Sequence, residues 1–340
     1  MKVLKYIGGF ILILIIAILL LGLVMKKEYS VERSIEIDAP KQVVWKNIYS
    51  FKAQDKWSPW RELDPNQKTE YIGEDGEVGS GTKWEGDPET VGTGSQELLA
   101  TQKFERVESK LRFIIPWEAE NDIFIAQEPI ANGIKVSWGF KGEIGYPMNV
   151  FLPFMGMEKF IGQDFEKGLA KLKSICESQT SLGTYGDYEV KYVELPIRYY
   201  ITKRDTVSWE GIQMFFANNF GIMAKAMAEQ GIEMSGMPSS LIYVWDFENQ
   251  QADMAAAMPI SSNSNVLEGY MVTELPSSMA MVVEYMGDYE GSGDAHMMME
   301  KCAEDWGFEI IEPVSEEYVT DPGEEPDTSK WITKITYPVK

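Results

Sequence analysis

One carboxylate in this chain stands where a carboxylate costs most. Glu284 interrupts the apolar run Met281-Val282-Val283-Glu284-Tyr285. Buried without a partner it would be strongly unfavourable, so three readings are open: exposure to water, pairing with a base, or service to a ligand. Arg204, 80 residues earlier in a similar strand, is the partner that the sequence offers. Tyr243, Trp245, Tyr285, Trp331 and Tyr337 are the aromatics best spaced to line a cleft around such a group and stack on a cation, or else to fill a core. In an enzyme, Glu284 would be the general base acting on a small lipophilic substrate. Other chemistries are thinly supplied. The chain has one histidine, His296, in a Met-rich helical stretch where a half-exposed position is expected, and sites built on two or more histidines are excluded. Its two cysteines, Cys176 and Cys302, are far apart and form no disulfide framework or metal spacing. The expectation is a protein with no metal and no cofactor.

The elements carrying these residues are written twice. Leu195-Pro196 and Leu275-Pro276 lie 80 residues apart, each next to an alternating strand and followed by a strand and a helix. In the first copy, strands are expected at 188–193, 199–204 and 241–247, with a helix at 209–230 ended by Gly231. In the second, strands are expected at 267–274, 279–286 and 332–337, with a helix at 293–306. Two similar halves meet along a seam, which is a natural place for a small-molecule pocket. Methionines concentrate here, 14 of 19 lying between Met214 and Met299, as suits an adaptable pocket or an irregular core.

The 340 residues are enough for two well-packed domains, and 44% hydrophobic content is globular. The net charge of −22 is uneven: −8 over residues 28–184 and −18 over residues 185–340. Such a surface repels phosphate backbones, so a nucleic-acid partner is not expected. Residues 1–27 differ, with four lysines and no acid. Between Lys5 and Lys26 lie 20 residues without a charge, Tyr6 to Met25. As a helix they would extend about 30 Å, the thickness of a hydrocarbon core. No small-x-small cleavage site follows, so the expectation is an uncleaved single-pass anchor. The soluble bulk is placed outside the cytoplasm, although the flanking lysines nearly balance.

Residues 28–178 read as a first soluble domain. A strand at 29–37 leads to a helix entered through Asp38 and Pro40. Strand-like runs follow at 68–72, 82–85, 95–105, 110–116, 122–128 and 135–140. A closing helix at 158–177 carries Phe165, Leu169, Leu172 and Cys176 on one face. The opening Ile37-Asp38-Ala39-Pro40-Lys41-Gln42-Val43-Val44-Trp45, the Trp57-Ser58-Pro59-Trp60 motif and the final Phe165-to-Lys173 run resemble the START-like (SRPBCC, polyketide-cyclase-like) helix-grip superfamily. That resemblance implies an antiparallel sheet around a C-terminal helix and a deep apolar cavity between them. Trp57, Trp60, Trp84, Trp138 and Phe140 are expected near its mouth or walls, or in ordinary core packing. The stiff apolar stretch 144–156, with Pro147 and Pro153, is either a lid or a surface lying against the membrane.

A polar linker is expected at 179–186, followed by residues 187–340. Here Val207-Ser208, Gly236-Met237-Pro238, the Ala252-to-Ile260 run, Met286-Gly287-Asp288-Tyr289 and the closing Lys330-to-Val339 run resemble the GyrI-like effector-binding domain that follows the DNA-binding part of some AraC-type and MerR-type regulators. The resemblance implies two strand–helix–strand–strand repeats with a small, often cationic and apolar ligand in the cleft. It also exposes a departure. Members that bind cations or catalyse often carry a glutamate on the last strand where this chain has Lys334. The fold class expected is therefore α+β, in two soluble domains behind one transmembrane helix. The function expected is membrane-anchored binding of an apolar or amphipathic ligand, rather than hydrolysis, cyclisation or scaffolding.

Overall fold

The computed structural model describes residues 2–131, 133–262 and 267–340. Its architecture is α+β and it divides into two compact units, Met1–Ser178 and Gln179–Lys340. Each unit is built on one antiparallel sheet.

The first unit begins with α1 (Lys2–Val24), an apolar helix whose described side chains are almost all exposed, and whose 19 residues from Tyr6 are long and apolar enough to cross a membrane. Then come β1 (Glu28–Ile37) and the short helices α2 (Lys41–Ile48), α3 (Phe51–Gln54) and α4 (Pro59–Leu63). Strands β2 (Lys68–Ile72), β3 (Gly81–Glu85), β4 (Thr93–Gln102), β5 (Arg106–Ile115), β6 (Ala119–Ile130) and β7 (Gly133–Glu143) form a meander. The sheet order is β1-β7-β6-β5-β4-β3-β2, so the first strand closes onto the last. A 3-10 segment (Met148–Phe154) then leads into α5 (Met157–Glu177).

Helix α5 packs on the sheet through Phe165, Leu169, Leu172 and Cys176, each at most 3% exposed, at the four-three-four spacing that aligns them on one face. Gly168 lets it come close: a Cβ there would sit 2.8 Å from Trp138. Trp138 therefore lies flat on Phe165, ring centroids 4.1 Å apart.

The second unit contains β8 (Ser181–Tyr185), β9 (Tyr188–Leu195), β10 (Arg198–Ser208), α6 (Ile212–Glu229), β11 (Ser239–Asp246) and β12 (Gln251–Ile260). It continues with β13 (Met271–Leu275), β14 (Ser278–Met286), α7 (Gly293–Trp306), β15 (Val314–Tyr318) and β16 (Ile332–Val339). Among the described residues these strands form one sheet in the order β13-β10-β12-β11-β15-β16-β14-β9-β8. The order is nearly palindromic. The strand–helix–strand–strand runs β10-α6-β11-β12 and β14-α7-β15-β16 meet where β11 pairs with β15, Ser240 opposite Glu316. The two strands that end in Leu-Pro are exchanged: β9 pairs with β14 and β13 with β10. Several details differ from the sequence reading: the strand expected from residue 267 starts at Met271, and α2 is entered at Pro40 without a side-chain cap from Asp38. The expected linker contains β8, which pairs with β9. The helix expected from residue 209 starts as a 3-10 turn (Trp209–Gly211). Strands β12 and β15 join those expected.

Candidate functional site

The sheet of the first unit and helix α5 enclose a cavity of about 520 Å³. It is lined by Trp57, Trp60, Trp84, Trp138 and Phe140 together with Phe113, Leu111 and Ile161. These rings are held rather than loose. The Trp57 indole donates to the Asn47 carbonyl at 2.8 Å and the Trp84 indole to the Val91 carbonyl at 3.1 Å. Trp57 and Trp60 both meet Trp138 edge-on, at 4.9 and 5.4 Å. Trp138 is buried, yet its indole N–H has no hydrogen-bond partner. A buried donor left alone is costly, so the packing of this ring is not fully relaxed.

Polar groups that the sequence reading did not single out cluster on the wall formed by α3, α4 and β2. Arg61 donates to Thr69 at 2.5 Å and lies 3.8 Å from Asp55, which accepts from the Tyr71 hydroxyl at 2.5 Å. Burial, helped by the hydrogen bond and charge of Asp55, pushes the Tyr71 hydroxyl up to about 12, so it stays a donor at neutral pH. The lining as a whole is mostly apolar with polar groups on more than one wall, including Tyr29 with Asn121 and Gln96, a composition suited to an amphipathic molecule.

In the second unit the enclosed, fully hydrogen-bonded carboxylate is Glu316, while Glu284 takes the exposed, paired alternative that its sequence left open. Glu284 is exposed on the sheet face turned away from the helices, 3.5 Å from Lys191. Arg204 does not meet it. Four strands lie between β10 and β14, which puts them about 24 Å apart at ordinary strand spacing. Arg204 instead makes a bidentate pair with Asp253, at 2.7 and 2.6 Å, and lies 3.5 Å over the Tyr243 ring. Lys334 faces Glu284 in register and lies 3.6 Å from Glu317. Arg204, Tyr243, Glu284 and Lys334 thus share the outer face, while Tyr285 and Tyr337 point to the helix side, where Trp331 stands in the loop before β16. Trp245 is partly exposed at the end of β11.

Glu316 sits on the helix side at the β11–β15 seam. One oxygen accepts from His296 Nε2 at 2.9 Å and from Ser292 at 3.1 Å; the other accepts from Ser240 and Tyr318, each at 3.2 Å. A carboxylate can only accept, so Nε2 carries the proton; Nδ1 lies 2.8 Å from the Tyr337 hydroxyl. His296 lies on α7 at intermediate exposure, and its ring is turned onto the sheet, where it finds partners that the sequence did not reveal. Burial alone would raise the Glu316 carboxyl, but the His296 imidazole, with Ser292 and Tyr318, outweighs it and holds the carboxyl below its ordinary range. Burial and the Glu316 charge push the Tyr318 hydroxyl far up, so that it remains a donor.

Aromatic rings from both halves cover this carboxylate. Tyr318 contacts Phe216 and Phe220 of α6 at 6.3 and 6.0 Å and Tyr289 at 4.9 Å; Tyr289 in turn lies 4.8 Å from Trp331. Thr333, opposite Tyr318 on the same face, buries a hydroxyl without a partner. An ionised carboxylate beneath a ring cluster is an arrangement that attracts an apolar cation. Among the described residues no group of three or more His, Cys, Asp or Glu side chains is placed to hold a metal ion.

No family model matches the sequence, and no curated protein matches it. Solved structures do match in part. The EcmrR C-terminal domain is 18% identical, covering 45% of this chain and 98% of its own, with a TM-score of 0.41. SAV2435 bound to tetraphenylphosphonium is 19% identical over 45% of this chain and 94% of its own, with a TM-score of 0.35. The Aha1 dimer from Colwellia psychrerythraea is 14% identical over 44% of this chain and 97% of its own, with a TM-score of 0.33.

Proposed function

We propose that this chain is a membrane-tethered small-molecule binding protein whose first unit, read as a helix-grip domain, holds an apolar or amphipathic ligand. The observation that carries the reading is the 520 Å³ cavity, walled by aromatic rings held in place by hydrogen bonds and ring packing. An interior normally has few voids larger than a water molecule, so a chamber this size, within the range of small-molecule sites, is a poor core and a good container. Tyr6–Val24 would be the tether. The test is a titration with cis-parinaric acid, a fluorescent apolar amphiphile, of the full chain and of Leu111→Trp, which fills the chamber from its wall. Saturable binding that weakens about tenfold or more in Leu111→Trp, with the fold retained, is expected from loss of the volume. Equal affinity in both proteins would refute the reading.

A second ligand class is favoured by Glu316. We read the second unit as a GyrI-like effector-binding module in which Phe216, Phe220, Tyr289, Tyr318 and Trp331 would open to admit a lipophilic cation above the carboxylate. Tetraphenylphosphonium, the compound carried by SAV2435, is the matching probe. Its affinity should fall about tenfold or more in Glu316→Gln, which keeps the shape and removes the charge. Unchanged affinity would assign that binding elsewhere.

A further inference from the structure

The stretch from Ile144 to Met157 contains no charged residue, in a chain whose net charge is −22. Its apolar side chains are not a core: Phe154 is 82% exposed, Met148 57%, and Phe160 just beyond it 65%. Burying that surface in water-free surroundings would be favourable, so something is expected to cover it.

Its position says what. The stretch is bound to the end of α1. Asn149, fully buried, donates to the Gly22 carbonyl at 2.8 Å and to the Met25 carbonyl at 3.0 Å, and the Ile144 amide donates to the Lys27 carbonyl at 2.8 Å. A Cβ on Gly22 would be 3.1 Å from the Tyr146 ring, so the two segments are in close contact there. The apolar stretch therefore begins at the level where the membrane-length helix ends.

A second apolar finger points from the same end of the sheet. In the β5–β6 hairpin, Phe113-Ile114-Ile115-Pro116-Trp117 is uncharged, with Trp117 69% and Ile114 55% exposed. The register places this hairpin beside the α1 end: Asn121 lies opposite Gly142, and Glu143 opposite Glu28. Pro116 and Trp117 from one finger, and Met157 and Ile161 at the start of α5, line the cavity together. Both apolar segments thus contribute to the chamber wall.

We propose that these fingers, Met148–Met157 and Phe113–Trp117, insert into the bilayer surface in which α1 is anchored, with Glu158 and Lys159 at the headgroup level, so that the cavity mouth faces lipid rather than water. Exposed Trp and Phe at the level where a spanning helix leaves the bilayer fit the interfacial region, where amphipathic rings are favoured. The proposal rests on the anchor reading of α1. It makes the bilayer itself the route by which an apolar ligand enters.

The experiment uses the full chain in phosphatidylcholine nanodiscs, with an environment-sensitive fluorophore on single introduced cysteines; Cys176 and Cys302 are both buried. The labelled variants are Phe154→Cys and Trp117→Cys in the fingers, Ile13→Cys in α1, and Lys103→Cys in the β4–β5 turn at the opposite end of the sheet. Lipids spin-labelled near the headgroup should quench the two finger positions by about twofold or more, as for an interfacial segment, lipids spin-labelled deep in the acyl chain should quench Ile13→Cys, and neither should quench Lys103→Cys. Quenching at Ile13→Cys alone would retain the anchor and overturn the proposal. A blue-shifted but unquenched finger label would mean that protein covers the patch, and would also overturn it. No lipid contact at Ile13→Cys would remove the anchor and the proposal together. Adding Leu111→Trp should leave the quenching unchanged, which separates membrane contact from ligand binding.

Discussion

Glu284 and Glu316 are both glutamates on strands of one sheet, and only their surroundings distinguish them. Glu284 faces water and Lys191, whereas Glu316 is enclosed by His296, Ser240, Ser292 and Tyr318. Removing Glu316 would strand the His296 N–H and three hydroxyls, so Glu316→Ala should destabilise the second unit by about 3 kcal/mol. Glu284→Ala should change stability by less than about 0.5 kcal/mol, as for an exposed pair. The pH dependence has a definite sign. Because the folded Glu316 carboxyl titrates below its ordinary 4.5, its contribution is complete above about pH 4.5 and is lost as the pH falls through the depressed value. Chemical denaturation of wild type and Glu316→Gln from pH 7 to 3 checks this: the gap between them should narrow on acidification, and a widening gap would contradict the assignment. The sequence could not single out Glu316. Glu316-Glu317 is an adjacent pair in a strand, so one must face each way, and which is buried depends on a register that only the partner strands define.

At the scale of elements, the legible parts were those with strong periodicity. The apolar face of α5 could be read from Phe165, Leu169, Leu172 and Cys176, and the Trp57-to-Trp60 motif lies on the cavity wall beside it. Strands β12 and β15 were hidden because Ala255-Ala256-Ala257 and Ser315-Glu316-Glu317 have poor strand propensity. Both pair on two sides within the sheet, and that pairing overrides local preference. Palindromic strand order was also out of reach, since exchange of β9 and β13 between the halves leaves no local trace. The link between α1 and the 3-10 segment is likewise a matter of one side chain. Asn149 supplies donors to carbonyls at the helix end that have no partner within the helix. Asn149→Ala should cost about 1–2 kcal/mol locally. The expected readout is faster tryptic cleavage after Lys26 and Lys27 in detergent; an unchanged rate would mean that the contact does not order the junction.

For the whole molecule, negative charge is uneven, while apolar side chains such as Phe154, Trp117, Phe247 and Met214 are exposed in both units. The residues after 184 carry most of the negative charge, while exposed aromatics of the first unit gather at the end where α1 joins. We propose one binding protein built from a tether, a chamber and a charged second unit, with a small apolar molecule held in the chamber. The most direct measurement is native mass spectrometry of the full chain released from its own membranes, compared with Leu111→Trp prepared identically. The account predicts a stoichiometric small-molecule adduct on the wild type that is absent from Leu111→Trp. An adduct carried equally by both proteins, or a bare wild type that also fails to take up cis-parinaric acid, would contradict it.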